Sequence, residues 1–129
     1  CSFAFDADVQ ISVACGMTAA DVAIAVSYSG KSAHTVAIAE EARRSGARLV
    51  GITSIGQSTL SKLADIVLTV PATEPLLRTS ASLSRATQLV MVDILYATVI
   101  CRSIEVSIPR LERSLKAVHE QDIKPPARP

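Results

Sequence analysis

Three short runs of aliphatic residues divide the chain, and none shows the polar alternation of a half-exposed strand. The runs are Asp21–Val26, Arg48–Thr53 and Asp65–Val70. Continuous aliphatic runs of this length are typical of strands that are buried on both faces of a parallel sheet. The pattern therefore predicts three buried strands.

Between and around these runs, apolar residues recur at helical spacing. The helix boundaries carry chemical signals: Ser32 can cap the second helix, Gly46 can stop it, and Pro109 suits the first turn of the last one. The segment Pro71–Ser82, rich in Pro, Thr and Ser, is predicted to be a loop. We predict helices over Asp6–Gly16, Ala33–Ser45, Thr59–Ala64, Leu83–Cys101 and Ile108–Val118.

The alternation of strands and helices predicts an α/β fold, a three-layer αβα sandwich around a parallel sheet. The length of 129 residues favours one domain, for which we expect residues 1–120, followed by a disordered tail at 121–129. Because 49% of the residues are hydrophobic and only 3% are aromatic, the core must consist of Ala, Val, Ile and Leu.

The segment Leu83–Cys101 is apolar on most faces of a helix. This predicts burial on both sides, either at the centre of the fold or in a subunit interface. Its most apolar part, Ala86–Cys101, contains Gln88 and Asp93, so we expect it to be too short and too polar to cross a bilayer. No membrane partner and no signal peptide are expected.

Charge and cysteine content narrow the function classes. The net charge is +1, and no basic stripe with interleaved aromatics suggests that these residues bind nucleic acid. The three cysteines, Cys1, Cys15 and Cys101, are far apart and form no metal-binding pattern, which predicts a reducing, cytoplasmic location and no metal. Because the chain begins at Cys1 without a Met, we expect a fragment of a longer protein.

Three hydroxyls, those of Ser27, Ser29 and Ser32, surround Gly30 between the first predicted strand and the next helix. Free amides and the dipole at a helix N-terminus favour an anion, and hydroxyls can donate to phosphate oxygens. Gly30 would let the backbone approach a ligand. The segment matches neither the P-loop nor the dinucleotide-binding glycine pattern. It favours a phosphate monoester, with an ordinary serine-capped turn as the alternative.

Other polar residues follow the second and third predicted strands, at the sheet edge where ligands bind in parallel α/β folds. Thr53 and Ser54 either contact the same ligand or belong to an ordinary turn. Arg78 or Arg85 either pairs with a phosphate or is solvated. Glu74 either contacts a sugar hydroxyl or is a solvated loop carboxylate.

The segment DVAIAVSYSGKS, Asp21–Ser32, resembles the S-x-S-G-x-[ST] signature of sugar isomerase (SIS) domains. The resemblance continues through GARLVGITS, SKLADIVLTV and LRTSASLSRATQLVMVDILYATV, and it covers nearly all of residues 4–115. In this order the segments are similar to the C-terminal SIS domain of RpiR-type transcriptional regulators.

This resemblance implies a flavodoxin-like parallel αβα sandwich that binds a sugar phosphate without a cofactor. It also implies a homodimer or homotetramer formed through the long apolar helix, and promoter binding by an N-terminal helix-turn-helix domain. The positions that match the family's ligand-binding residues are Ser27, Ser29, Gly30, Lys31, Ser32, Thr53, Ser54, Ser80 and Ser84, with Gly30 and Lys31 contributing backbone amides.

Two parts of the family pattern are not in this sequence. One is the helix-turn-helix domain, so we expect these residues not to bind DNA by themselves. The other is the first strand of the domain with its Gly/Ser-rich loop, since residues 1–5 resemble only the short strand that follows it. We therefore expect either that another segment or subunit replaces that strand, or that the sheet forms differently without it.

The resemblance favours a sugar-phosphate-sensing effector domain that is not an enzyme. An aldose–ketose phosphate isomerase on the same fold is the alternative, and it would need Glu74 or His34 as a base. The Gly-Thr-x-x-Glu stretch of SIS isomerases is replaced here by PATEPLLRTSASLSR, which favours the regulator. A third hypothesis is a dimerisation module whose pocket is vestigial.

Overall fold

The computed structural model describes residues 3–71 and 82–122. Two compact units divide within the fourth helix, between Met91 and Val92. The elements follow in the order α1 (Ala7–Cys15), β1 (Val22–Val26), α2 (Ala33–Arg44), β2 (Arg48–Ser54), α3 (Thr59–Leu63), β3 (Ile66–Val70), α4 (Ser82–Arg102) and α5 (Ile104–Asp122).

The three strands form one parallel sheet in the order β1-β2-β3. Val26 pairs with Ile52, and Ile52 pairs with Leu68, so the three strands end side by side. The predicted parallel sheet and the positions of its strands are confirmed, each boundary to within one residue. The consecutive strand order brings the loops that follow the strands to a common edge.

The core of the first unit lies between the sheet and helices α2 and α3. Leu49 of β2, Ala39 of α2 and Leu60 of α3 are its buried centre, and Ala23 and Ala25 of β1 pack against it. Small alanines on β1 let α2 lie close to the sheet, because bulkier side chains would hold the helix away. The predicted aliphatic core is confirmed.

The prediction that all three strands are buried on both faces is correct only for β2. Its Leu49 and Ile52 are fully buried, whereas Val22, Ile24 and Val26 of β1 are 40 to 55% exposed. Successive side chains of a strand point to opposite faces, so these three share the face opposite Ala23 and Ala25. These side chains are more exposed than those of β2 because β1 is an edge strand of the described sheet, with a neighbouring strand on one side.

Serines and an aspartate fix the helix starts, as their chemistry predicts. The Asp6 carboxylate accepts hydrogen bonds from the amides of Asp8 and Val9 at 2.9 and 3.1 Å, which caps α1. Ser32 caps α2 by accepting from the Thr35 amide, as predicted. These contacts satisfy amides that the first turn of a helix leaves unpaired.

Helix α4 differs from its prediction. Many of its large apolar side chains, including Leu89, Ile94 and Val99, are 41 to 66% exposed, so burial on both sides at the centre of the fold is wrong for this chain. Among the described helices, α4 alone is long and apolar enough to span a bilayer, with 21 residues, which contradicts the expectation based on length. Length and composition alone are weak grounds for a span, because the core helices of soluble proteins meet the same criteria.

Helix α5 begins at Ile104, four positions before its predicted start at Ile108. The carbonyl of Ser103 accepts hydrogen bonds from Ser107 at 2.8 Å and from Val106 at 3.0 Å, and this contact starts the helix early. Pro109 therefore lies inside the helix and not in its first turn, which is a correction to the prediction. The helix also extends to Asp122, beyond the predicted boundary at 120, and the rest of the predicted tail lies outside the described residues.

Candidate functional site

The segment Ser27–Ser32, called the serine loop below, connects the end of β1 to the start of α2. Its first residue continues the sheet, because the Ser27 amide donates to the Ile52 carbonyl at 3.0 Å. The chain then turns, and the Gly30 amide donates to the Ser27 carbonyl at 3.0 Å. The predicted strand-to-helix junction is therefore where the structure places these serines.

Helix α3 and the end of β2 donate hydrogen bonds that fix the backbone of the serine loop. The Tyr28 carbonyl accepts from the Ser54 amide at 2.9 Å and from the Thr53 hydroxyl at 3.1 Å. The Gly30 carbonyl accepts from the Leu60 amide at 2.9 Å. Three hydrogen bonds from outside the loop thus fix two of its carbonyls.

The Tyr28 side chain extends this bracing to the third strand. Its hydroxyl donates to the carbonyl of Pro71, the residue that follows β3, at 3.3 Å. One residue of the serine loop is therefore hydrogen-bonded to the ends of both β2 and β3.

The packing of the loop requires glycine at position 30. It adopts a φ of +61°, in the left-handed region that favours glycine. A Cβ placed on Gly30 would lie 2.1 Å from the Ser58 Oγ and 2.7 Å from the Thr53 Oγ1. The space that a side chain would need is therefore taken up by protein atoms.

The amides of the serine loop divide into those already used and those still available. The Gly30 amide is engaged in the turn, and the Lys31 amide donates to the Ser29 Oγ at 3.3 Å, so each has a partner within the loop, and their contact with a ligand stays a prediction. The amides of Ser29, Ser32 and Ala33 have no acceptor among the described residues. They lie at the loop and the start of α2, where the helix dipole is positive.

Two of the serine hydroxyls accept hydrogen bonds from neighbouring protein groups. The Ser32 Oγ accepts from the Thr35 amide at 3.4 Å and from the Thr35 hydroxyl at 3.1 Å, and the Ser29 Oγ accepts from Lys31. A hydroxyl that accepts from protein groups keeps its own proton for another partner. Ser29 and Ser32 are exposed and Ser27 is buried, so two of the three hydroxyls face solvent.

The two candidates at the end of β2 have different environments. Thr53 is fully buried, and its hydroxyl donates to the Tyr28 carbonyl, so it stabilises the serine loop. Ser54 is half-buried, and its hydroxyl has no partner among the described residues. Ser54 thus lies beside the serine loop with a donor available.

Sequence reasoning missed Ser58, which is buried against Gly30. Ser58 caps α3: its Oγ accepts from the Ser61 amide at 3.1 Å, and the Ser61 Oγ accepts from the Ser58 amide at 2.8 Å. The Ser-x-x-Ser spacing is a weak form of the capping-box pattern and was the available signal.

The candidates that follow β3 are only partly described. Glu74, Arg78 and Ser80 lie outside the described residues. Ser84 is buried in the first turn of α4, and its carbonyl accepts from the Thr87 hydroxyl at 3.0 Å. Arg85 is exposed.

A shallow depression of about 440 Å³ lies at the opposite edge of the sheet, where the strands begin. Its charged residues include Arg43, Arg48 and Asp65. Arg43 pairs with Asp65 at 3.7 Å and donates to the Leu63 carbonyl, so these groups join α2 to the start of β3. This role is structural, and the depression does not include the serine loop.

Comparison with known proteins adds a family and its relatives. The SIS domain model matches residues 5–98. An uncharacterized HTH-type transcriptional regulator of Caldanaerobacter subterraneus is 37% identical over 99 residues, which is 77% of this chain and 35% of that protein. Another, from Thermotoga maritima, is 32% identical over 120 residues, 93% of this chain and 42% of that protein. The chain therefore spans less than half the length of these relatives.

Two solved structures resemble the chain. The Vibrio vulnificus NanR protein complexed with ManNAc-6P has a TM-score of 0.81 at 23% identity, over 94% of this chain and 46% of NanR. A hypothetical protein has a TM-score of 0.55 at 28% identity, over 67% of this chain and 50% of its own. At such identity the likeness to NanR shows a common fold.

Proposed function

Because this chain belongs to the SIS domain family, we propose that it is the sugar-phosphate-sensing domain of an HTH-type transcriptional regulator, and that its serine loop binds the phosphate. The finer assignment to the RpiR type is part of the same proposal. The observation that best supports phosphate binding is the set of hydrogen-bond donors at the start of α2 that have no acceptor among the described residues.

These donors suit a phosphate group. The amides of Ser29, Ser32 and Ala33 and the hydroxyls of Ser29 and Ser32 can each donate one hydrogen bond. A phosphate monoester has three terminal oxygens with several lone pairs, and a helix N-terminus favours its negative charge. The exposed Lys31 ammonium can add a positive charge nearby, in addition to the backbone contact predicted for this residue.

Residues at the ends of the other strands complete the proposed site. Ser54 is the proposed contact from β2, with Thr53 beneath it as support. Ser80, Ser84 and Glu74 remain proposed contacts, with Glu74 assigned to a sugar hydroxyl. These three would distinguish sugars, because the serine loop recognises a group that all sugar phosphates share. Ser27, within the serine loop, remains a proposed phosphate contact.

The ligand class is supported by a structural neighbour. NanR, which has the same fold, was solved with ManNAc-6P, a phosphorylated sugar. We extend only the class to this chain and leave the identity of the sugar to experiment. A regulator is preferred to an isomerase because the relatives of this chain are named transcriptional regulators.

Ligand binding would control transcription through subunit arrangement. Helix α4 exposes many large apolar side chains, more than a monomer usually leaves in water, so we assign it to a homodimer or homotetramer interface. Gln88 and Asp93 on this helix favour a protein interface over a bilayer. A sugar phosphate that binds one arrangement more tightly would favour it and so reposition separate helix-turn-helix domains on DNA in the cytoplasm.

Calorimetry with ManNAc-6P, glucose 6-phosphate and the same sugars without phosphate tests the ligand class. We expect heat of binding for at least one phosphorylated sugar and none for the unphosphorylated ones. Equal binding with and without phosphate would contradict the proposal. Incubation with aldose phosphates should yield no ketose, since conversion would establish the isomerase instead. Sedimentation measurements should show a dimer or tetramer, and a monomer would contradict the role of α4.

A further inference from the structure

Thr35, in the first turn of α2, makes two contacts with the same atom of the serine loop. Its amide donates to the Ser32 Oγ at 3.4 Å, which is the expected cap. Its hydroxyl lies 3.1 Å from the same Oγ. The amide contact exists for any residue at this position, whereas the hydroxyl contact requires Thr or Ser.

The two contacts restrict what the Ser32 hydroxyl can do. A serine hydroxyl has two acceptor lone pairs and one proton. When Thr35 donates through both its amide and its hydroxyl, both lone pairs of the Ser32 Oγ are occupied. Only the hydroxyl proton of Ser32 is then left to form another hydrogen bond. That proton must then point away from α2, to a partner outside the helix.

A bound anion makes this arrangement the favoured one. Between two hydroxyls the hydrogen bond can run in either direction, but a phosphate oxygen beside Ser32 attracts the Ser32 proton. Thr35 then donates to Ser32, and each hydrogen bond in the chain polarises and strengthens the next. The Thr35 side chain is half-buried, so its position is restricted before a ligand arrives.

We propose that Thr35 is a positioning residue for phosphate: it never touches the ligand but holds the Ser32 hydroxyl as a donor toward it. This inference rests on the proposed function of the serine loop. It assigns a role to a residue that the S-x-S-G-x-[ST] pattern does not include, since Thr35 lies three positions beyond the last residue of the pattern.

The test measures phosphate affinity in a set of variants of this chain, with inorganic phosphate and glucose 6-phosphate as probes. Thr35→Val replaces the hydroxyl by a methyl group of similar size, and we expect Kd to rise about threefold to tenfold for both probes. Thr35→Ser restores the hydroxyl and should bind within a factor of about two of the wild type. Both probes should lose the same factor because both present a phosphate to Ser32.

A double-mutant cycle separates positioning from a general structural effect. Glycine is tolerated as a helix cap, so Ser32→Gly removes the hydroxyl with little loss of helix stability. In the Ser32→Gly background, Thr35→Val should cost no further affinity, because Thr35 acts through Ser32 alone. If Thr35→Val weakens binding equally in both backgrounds, or Thr35→Ser fails to restore it, the positioning role is wrong.

The outcomes also distinguish this inference from the function it rests on. If the wild-type chain binds neither probe, the phosphate site and the role of Thr35 are both overturned. If it binds, and Ser29→Ala weakens binding while Thr35→Val does not, only the role of Thr35 is overturned. Should Thr35→Val fail to fold, Thr35→Ala replaces it in the same cycle, with the same expected loss and the same contradicting result.

Discussion

The hydroxyl of Thr53 donates a 3.1 Å hydrogen bond to the carbonyl oxygen of Tyr28, and so joins the end of β2 to the serine loop. The same carbonyl accepts from the Ser54 amide at 2.9 Å. Both lone pairs of a loop carbonyl are thereby fixed by the neighbouring strand. Thr53, a predicted ligand contact, therefore also stabilises the serine loop.

Replacing Thr53 by Val should loosen the loop without changing the shape of the core. We expect a loss of about 1 kcal/mol in the free energy of unfolding, the net worth of one hydrogen bond, measured by urea denaturation. Phosphate affinity, measured by calorimetry, should fall because the loop is less well held. Thr53→Ser keeps the hydroxyl and should keep the affinity. Wild-type affinity in Thr53→Val would contradict the supporting role.

Gly30→Ala should destabilise the chain through two separate effects. The positive φ of +61° strains any other residue, and the added Cβ meets the Ser58 Oγ at 2.1 Å. Gly56→Ala is the matched control, because Gly56 has a φ of +128° but no atom within 4 Å of the added Cβ. Backbone strain costs about 1–3 kcal/mol in each, and overpacking adds about 1–3 kcal/mol in Gly30→Ala alone. Equal losses in chemical denaturation would show that the contact with Ser58 is unimportant.

The double variant Ser27→Ala, Ser29→Ala should bind sugar phosphate more weakly, with each lost hydroxyl costing about 1 kcal/mol or more. The control is Ser45→Ala, at the other end of α2, where the hydroxyl donates to the Cys15 carbonyl at 3.3 Å. Ser45→Ala should bind as the wild type does. Calorimetry that finds unchanged affinity in the double variant would reject the serine loop as the phosphate site.

Gln88→Leu should stabilise this chain. The Gln88 Nε2 is buried and has no hydrogen-bond partner among the described residues, and a buried donor of this kind costs free energy. We expect the free energy of unfolding to rise by about 1 kcal/mol. The control is Gln10→Leu, since the Gln10 Nε2 donates to the Ala4 carbonyl at 2.6 Å, and its loss should not stabilise. A destabilised Gln88→Leu would mean that this amide has a partner in solution.

The local structure could be read from the sequence wherever neighbouring residues determine it. The strand Val22–Val26, the cap at Ser32 and the end of α1 near Gly16 all follow from short-range chemistry, and the structure confirms them. The predicted start of α5 is wrong because Pro109 does not mark the first turn. The Ser103 carbonyl accepts hydrogen bonds from the Val106 and Ser107 amides, so the helix begins earlier, and Pro109, which has no amide proton, lies inside it.

The position of the serine loop could be predicted from the sequence, but its internal contacts could not. Hydroxyls beside a glycine between a strand and a helix predicted the position of the serine loop. The contacts of Gly30 with Ser58 and Thr53 depend on how three loops and strands meet in space, and no spacing along the chain contains that information.

The hydrogen bonds that the Tyr28 and Gly30 carbonyls accept from Ser54, Thr53 and Leu60 restrict the motion of the serine loop. A loop whose carbonyls are already anchored loses little conformational entropy when an anion arrives, so most of the contact energy remains as affinity. Rigidity of this kind suits a group of invariant shape. Discrimination among sugars would then depend on other segments, whose sequences can vary. The same serine loop would in that way serve domains that recognise different sugar phosphates.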